Sequence, residues 1–184
     1  MQNELDCALT PAPDKVVLRE IEKTTQSSGG FFLSDDTLRN SRSAFFKVEA
    51  IGAVAAKKTG VKAGDYVYAD RLSSHYHTHP VCVIPWQGII LLCDENKDNL
   101  KTVPGMVLME QEEEKTTGFI AQSNDIRKGK IVQIVYPEDM KPEEVPPFKV
   151  GDTVMLTSKC EVYDGFTDKR LIAMKFEEIV ARFD

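Results

Sequence analysis

Short apolar runs separated by clusters of Gly, Pro, Asn, Asp and Ser dominate the chain. Lys15-Val16-Val17-Leu18-Arg19-Glu20-Ile21 is rich in β-branched residues and follows Pro11 and Pro13, which predicts a strand. Phe45-Phe46-Lys47-Val48-Glu49-Ala50-Ile51-Gly52 alternates with a period of two and predicts a second. Ala63-Gly64-Asp65 introduces a third at Tyr66-Val67-Tyr68. Val81-Cys82-Val83-Ile84 and Ile89-Ile90-Leu91-Leu92 read as two more strands around the turn Pro85-Trp86-Gln87-Gly88. Few segments before residue 94 hold a helical period, so the pattern predicts an all-β protein of short strands. One feature stands apart from it: the polar stretch 22–44 is interrupted by Phe31-Phe32-Leu33, three large apolar residues set between Ser27-Ser28-Gly29-Gly30 and Ser34-Asp35-Asp36.

The second half repeats the grammar of the first. Glu22-Lys23-Thr24-Thr25 recurs as Glu114-Lys115-Thr116-Thr117, and each tetrad leads to a glycine followed by apolar residues, Gly30-Phe31-Phe32-Leu33 and Gly118-Phe119-Ile120-Ala121. Lys47-Val48-Glu49-Ala50-Ile51 corresponds to Lys130-Ile131-Val132-Gln133-Ile134. Val61-Lys62-Ala63-Gly64-Asp65-Tyr66-Val67 corresponds to Phe148-Lys149-Val150-Gly151-Asp152-Thr153-Val154. Matching elements in one order, with length changes confined to the stretches between them, are the mark of an internal duplication. The polar run 94–101 is the predicted junction, which divides the chain into domains at 1–100 and 101–184.

Composition narrows the function classes. The 184 residues are 42% hydrophobic and 28% charged, as in a folded globular protein. A formal net charge of −6 argues against binding to a nucleic-acid phosphate backbone, which calls for a clustered basic surface. The longest apolar run, Gly88-Ile89-Ile90-Leu91-Leu92-Cys93, falls far below the ~20 residues that cross a bilayer, so no membrane span is expected. The acidic N-terminus lacks the basic and apolar regions of a secretory signal, and the four cysteines show no C-x-x-C spacing. The expected setting is the reducing cytoplasm, or the host cytoplasm if the protein is viral.

In its ordered set of elements the chain resembles the GroES, or chaperonin-10, family of co-chaperonins in a tandem double-domain form. The resemblance rests on Asp14-Lys15-Val16-Val17-Leu18, on Ser28-Gly29-Gly30-Phe31-Phe32-Leu33 and on the two Lys-x-Gly-Asp-x-Val segments. It also rests on the terminal stretch 171–181, which matches the family's closing strand and "DILA"-like segment. The resemblance implies two tandem GroES-like β-barrel domains, self-assembly into a ring and a GroEL-type chaperonin as partner. It further implies that Gly30, Phe31, Phe32 and Leu33 belong to a mobile loop that docks on the chaperonin, with Phe119, Ile120 and Ala121 in the matching place. Neither cofactor nor catalytic residue is implied, since nucleotide turnover belongs to the partner. The residues alone leave two readings open. An apolar triplet on a polar tether is a common binding element. Phe31-Phe32-Leu33 also fits a strand of the barrel whose glycines serve a hairpin turn. The matching Gly118-Phe119-Ile120-Ala121 favours the docking loop. Two departures stand out. The segment 53–60 is shorter than its counterpart 136–147, where the family has a roof hairpin, and the stretch 70–80 has no evident counterpart in the second half.

Two other readings compete. One is a structural protein, such as a virion component, that reuses the duplicated barrel as a building block. The other is a metal site, because all three histidines lie in His75-Tyr76-His77-Thr78-His79, with Cys82 as a further donor and Asp70 as a supporting acid. Alternate strand residues are about 6–7 Å apart, so three imidazoles must lean together to share one ion, and solvated histidines are the expected state. The chain carries no G-x-x-x-x-G-K-[ST], G-x-S-x-G or H-E-x-x-H motif, and it is not expected to be an enzyme. Protein purified without a histidine tag is accordingly expected to contain no stoichiometric zinc by elemental analysis; a tightly held equivalent that His77→Ala removes would favour the metal reading.

Overall fold

The computed structural model describes residues 9–21, 43–78, 80–111, 127–157, 162–163, 166 and 171–183. The chain divides into two compact units, Met1–Asn96 and Lys97–Asp184. The first contains β1 (Lys15–Glu20), β2 (Ser43–Ile51), helix α1 (Ala53–Thr59), β3 (Tyr66–Asp70), β4 (Tyr76–Thr78), β5 (Val81–Pro85) and β6 (Ile89–Cys93). Its strands pair in the order β4-β5-β1-β2-β3-β6, antiparallel throughout. The second contains β7 (Lys101–Thr102), β8 (Met106–Gln111), β9 (Arg127–Ile134), β10 (Thr153–Leu156), β11 (Leu171–Lys175) and β12 (Ile179–Arg182). Here the order is β11-β8-β9-β10-β12, again antiparallel. No helix among the described residues is long and apolar enough to cross a membrane.

The two units are built on one plan. Five strands follow the same order, β5-β1-β2-β3-β6 in the first and β11-β8-β9-β10-β12 in the second. Their irregularities coincide as well. The β1–β2 ladder shifts between Val17 and Leu18, and the β8–β9 ladder shifts at the matching place, between Leu108 and Met109. The β3–β6 ladder shifts between Tyr68 and Ala69, and the β10–β12 ladder between Met155 and Leu156. Bulges re-aim side chains at set points, so shared bulges carry the duplication down to single residues.

The Lys-x-Gly-Asp segments show why those residue types recur. Lys62 N–H donates to the Asp65 carboxylate at 2.8 Å, and Lys149 N–H to the Asp152 carboxylate at 3.0 Å. Gly64 and Gly151 sit at φ 94° and 95°, a conformation that disfavours side chains. Each glycine N–H then bonds the preceding long strand, Gly64 to the Val48 carbonyl at 2.8 Å and Gly151 to the Ile131 carbonyl at 2.9 Å.

The expected all-β character is present as two antiparallel sheets, neither of which is closed into a barrel among the described residues. Pairing among the described residues leaves both ends of each strand order free of a closing ladder. Curling follows from the connections instead. β5 and β6 lie at opposite ends of the five-strand order yet are joined by the 3-10 turn Trp86–Gly88, and β11 and β12 by Phe176–Glu178. The edges of a flat five-stranded sheet stand about 19 Å apart. Four residue steps at 3-10 rise span only ~8 Å, so each five-strand set must bend until its first and last strands approach. The core lies inside that bend. In the second unit it comprises Val107, Met109, Ile131, Val154, Leu156, Ile172, Met174 and Ile179.

Two sequence expectations need correction. The stretch 70–80 does have a counterpart, since Tyr163 bridges Ala173 on the outer side of β11 as Tyr76 pairs with Val83 on the outer side of β5. It was hidden because the two stretches differ in length and share little beyond that tyrosine. The segment after Gly52, for which the pattern predicts no helix, forms helix α1, while its counterpart holds the 3-10 turn Pro142–Glu144. Two alanines in a row favour the helix, and Lys57 and Lys58 complement its carboxyl end. Gly60 terminates it at φ 73°, with its N–H on the Ala56 carbonyl. Seven residues are too few to show a helical period in sequence.

Helix α1 starts against the N-terminal turn. The Pro13 carbonyl accepts from Val54 N–H at 2.9 Å and from Ala55 N–H at 3.0 Å, doing the work of a missing side-chain cap. That approach needs a glycine at 52, because a Cβ there would come within 2.2 Å of the Ala12 carbonyl oxygen. Gly52→Ala is therefore expected to destabilise the protein by about 1–3 kcal/mol, read as a lowered midpoint in urea unfolding. An unchanged midpoint would contradict this packing.

Candidate functional site

All the docking residues expected from the sequence, Gly30, Phe31, Phe32, Leu33, Phe119, Ile120 and Ala121, lie outside the described residues. What is described is where their segments begin and end. Segment 22–42 joins β1 to β2, and segment 112–126 joins β8 to β9, so each links the matching pair of adjacent strands in its unit.

At the root of the first segment lies a polar cluster at the end of the core. Glu20 faces Phe46 across the β1–β2 ladder and is buried with it. Residues opposite each other in a ladder share a face, as do residues two apart, which places Glu20, Leu18 and Cys82 on that same face. The Glu20 carboxylate is paired with the Arg71 guanidinium, Arg71 being the first residue after β3. Glu20 N–H also donates to the Pro80 carbonyl at 2.7 Å. Asp70, itself buried, accepts from Leu72 N–H at 2.9 Å and so caps the 3-10 turn Arg71–Ser73. Ser73 Oγ closes that turn by donating to the Asp70 carbonyl at 2.7 Å.

Cys82 completes the cluster. Burial pushes its thiol up to about 12, the neighbouring Glu20 charge adds to the rise, and Arg71 partly offsets it. A thiol held protonated at neutral pH is a poor metal ligand and a poor nucleophile. Of the expected metal donors, His75 is exposed with its N–H on the Val83 carbonyl at 2.9 Å. The backbone of His77 lies opposite Cys82 in register, and His79 lies outside the described residues. Asp70 serves its cap. Among the described residues no group of three or more His, Cys, Asp or Glu side chains is arranged to hold a metal ion.

The second unit carries a different set at the same positions. Gln111, exposed and opposite Gly129, replaces Glu20. Ile172, opposite Met109, replaces Cys82, and Thr157 replaces Asp70. Thr157 bonds Glu178 twice, N–H to carbonyl at 3.2 Å and Oγ1 to the carboxylate at 3.1 Å. Sequence reading missed the Glu20–Arg71 pair because neither residue belongs to a motif. The available signal was a charged residue in register with Phe46, on the apolar face of a strand. Trp86, expected as a partly buried core aromatic, is half-buried in the turn joining β5 to β6, with its N–H on the Asp14 carbonyl at 3.1 Å. Phe176 repeats that bond to Gly105 at 3.1 Å.

Comparison with models of known protein families finds no match, and comparison with curated protein sequences finds none either.

The raised thiol fixes two expectations for Cys82. In the folded protein it should resist iodoacetamide at pH 8 and react once urea unfolds the chain, as followed by peptide mass spectrometry. Between its ordinary value of 9.0 and about 12 the unfolded chain gives up this proton while the folded chain keeps it. The unfolded state then binds fewer protons, so this group makes stability fall as pH rises through that window. Cys82→Ser should flatten that part of the pH–stability curve; an unaltered slope would contradict the assignment.

Proposed function

We propose that this protein is a tandem co-chaperonin of GroES-like architecture. It assembles with itself into a ring, caps a GroEL-type chaperonin through the apolar triplets of its loops, and assists folding inside the partner's ATP-driven chamber. It catalyses no reaction of its own. One observation carries this reading. The two units share strand order, bulge positions and Gly-Asp turns, and the chain between β1 and β2, like that between β8 and β9, contains a glycine followed by apolar residues.

The physics of such a cap follows from those segments. Phe31-Phe32-Leu33 offers large apolar area on a Ser- and Gly-rich tether, whereas Phe119-Ile120-Ala121 offers less. A tether that orders on binding loses conformational entropy, which keeps each contact weak. Repetition around a ring recovers affinity through effective concentration, and the assembly remains releasable because each contact opens separately.

Phe32 is the central residue of the stronger triplet. Phe32→Ser removes one large buried side chain per docking site, worth roughly 1.5–3 kcal/mol by area transfer. Each 1.4 kcal/mol is about tenfold in affinity, so losses at several sites compound into failure of capping. The variant is expected to keep its melting temperature and oligomeric state yet fail to co-migrate with a nucleotide-bound chaperonin in gel filtration. Unfolding of the variant would place Phe32 in a core. A variant, or wild type, that assembles into a larger particle without chaperonin would favour the structural-protein reading.

A further inference from the structure

The two units share one scaffold but differ at the root of the β1–β2 and β8–β9 connections, and that difference has a physical signature. In the first unit Glu20, with its side chain 4% exposed, is paired with Arg71, 20% exposed. Taking two charges out of water costs free energy that their attraction does not dependably return, and apolar residues of the same volume often serve stability as well. The second unit does without the acid: its equivalent of Glu20 is the exposed Gln111. A buried pair of this kind is better explained by what it positions than by what it stabilises.

What it positions is given by topology. Glu20 ends β1, and Arg71 follows the end of β3, with β2 between those two strands in the sheet. The pair therefore spans the end of the curled sheet. The Glu20 backbone is held from the other side by the Pro80 carbonyl, so the same residue ties down both ends of the stretch 71–80. The Asp70 cap and the Ser73 bond make the Arg71 turn rigid, and Cys82 packs beneath as a neutral thiol. We infer that the Glu20–Arg71 pair is a latch that fixes the end of β1, so that the first unit presents its connection from a root set by a buried acid where the second unit has the exposed Gln111. Resting on the co-chaperonin reading above, the latch makes the first unit the principal docking element of each chain.

The test uses the full-length protein and three variants, Glu20→Gln, Arg71→Met and the double replacement Glu20→Met with Arg71→Met. Either single change removes one member of the pair and is expected to lower the melting temperature. The double replacement is expected to restore it. Hydrogen exchange supplies the readout that a merely stabilising pair would not move. In the double variant the backbone amide at position 20 should lose about tenfold or more of its protection, while amides of β8 and β9 keep wild-type protection. Unchanged protection at position 20 would overturn the latch. Chaperonin co-migration forms the second arm: with wild type bound, the double variant should bind at least about tenfold more weakly, through loss of a preset root. Equal binding would overturn the docking role. Should wild type itself fail to bind, the co-chaperonin reading falls, and the exchange data still decide whether the latch exists.

Discussion

A three-residue turn joining the first and last strands of the five-strand order common to both units sets the shape of each. β5 runs into Trp86–Gly88 and emerges as β6, although three strands lie between them in the sheet; β11, Phe176–Glu178 and β12 repeat the arrangement. The sheet must curl for so short a link to reach, and curling creates an inside. That inside demands apolar residues on one face of every strand. β1 and β8, each paired on both sides within its sheet, are apolar on both faces. Val16, Val17 and Leu18 are all buried, as are Val107, Leu108 and Met109. In the second unit the outer face is covered by residues 100–102, held by Gln133, which faces Leu108 in register. Gln133 Nε2 donates to the Leu100 carbonyl at 2.7 Å, and its Oε1 accepts from Thr102 N–H at 3.1 Å.

Given the curl, the remaining irregularities fall into place. Bulges at matching points in both units let the ladders bend, and the Gly-Asp turns feed β3 and β10 into the sheet at a fixed register. These features are common to both units because the shape depends on them. The units diverge where shape does not: helix α1 against the Pro142–Glu144 turn, and the Glu20, Asp70 and Cys82 set against Gln111, Thr157 and Ile172. A duplicated scaffold with one altered end is the pattern expected when two copies have come to play unequal parts.

Much of this was legible in the sequence. The alternation 45–51 marked β2, the β-branched run 15–20 marked β1, and the Gly-Asp pairs marked the entries to β3 and β10, because each reflects a local rule of side-chain period or backbone angle. The pairing of Lys47-Val48 with Lys130-Ile131 holds in three dimensions, Val48 facing Leu18 as Ile131 faces Met109. Helix α1 escaped because two turns carry no period, and because its cap is a carbonyl from Pro13 rather than a side chain of its own. Tyr163 escaped because a single bridge leaves no run of residues to recognise. The Glu20–Arg71 pair escaped for a third reason: a buried acid becomes intelligible only once a residue 51 positions away is known to reach it. The apolar triplets were read from composition and spacing alone, and they lie outside the described residues.

The central claim is that this chain closes a chaperonin chamber, and electron microscopy of the purified protein mixed with a GroEL-type chaperonin tests it most directly. With ATP present, the account predicts additional dome-shaped density on the ends of the chaperonin cylinder, absent when nucleotide is omitted. Bare cylinder ends at saturating protein and nucleotide would contradict it.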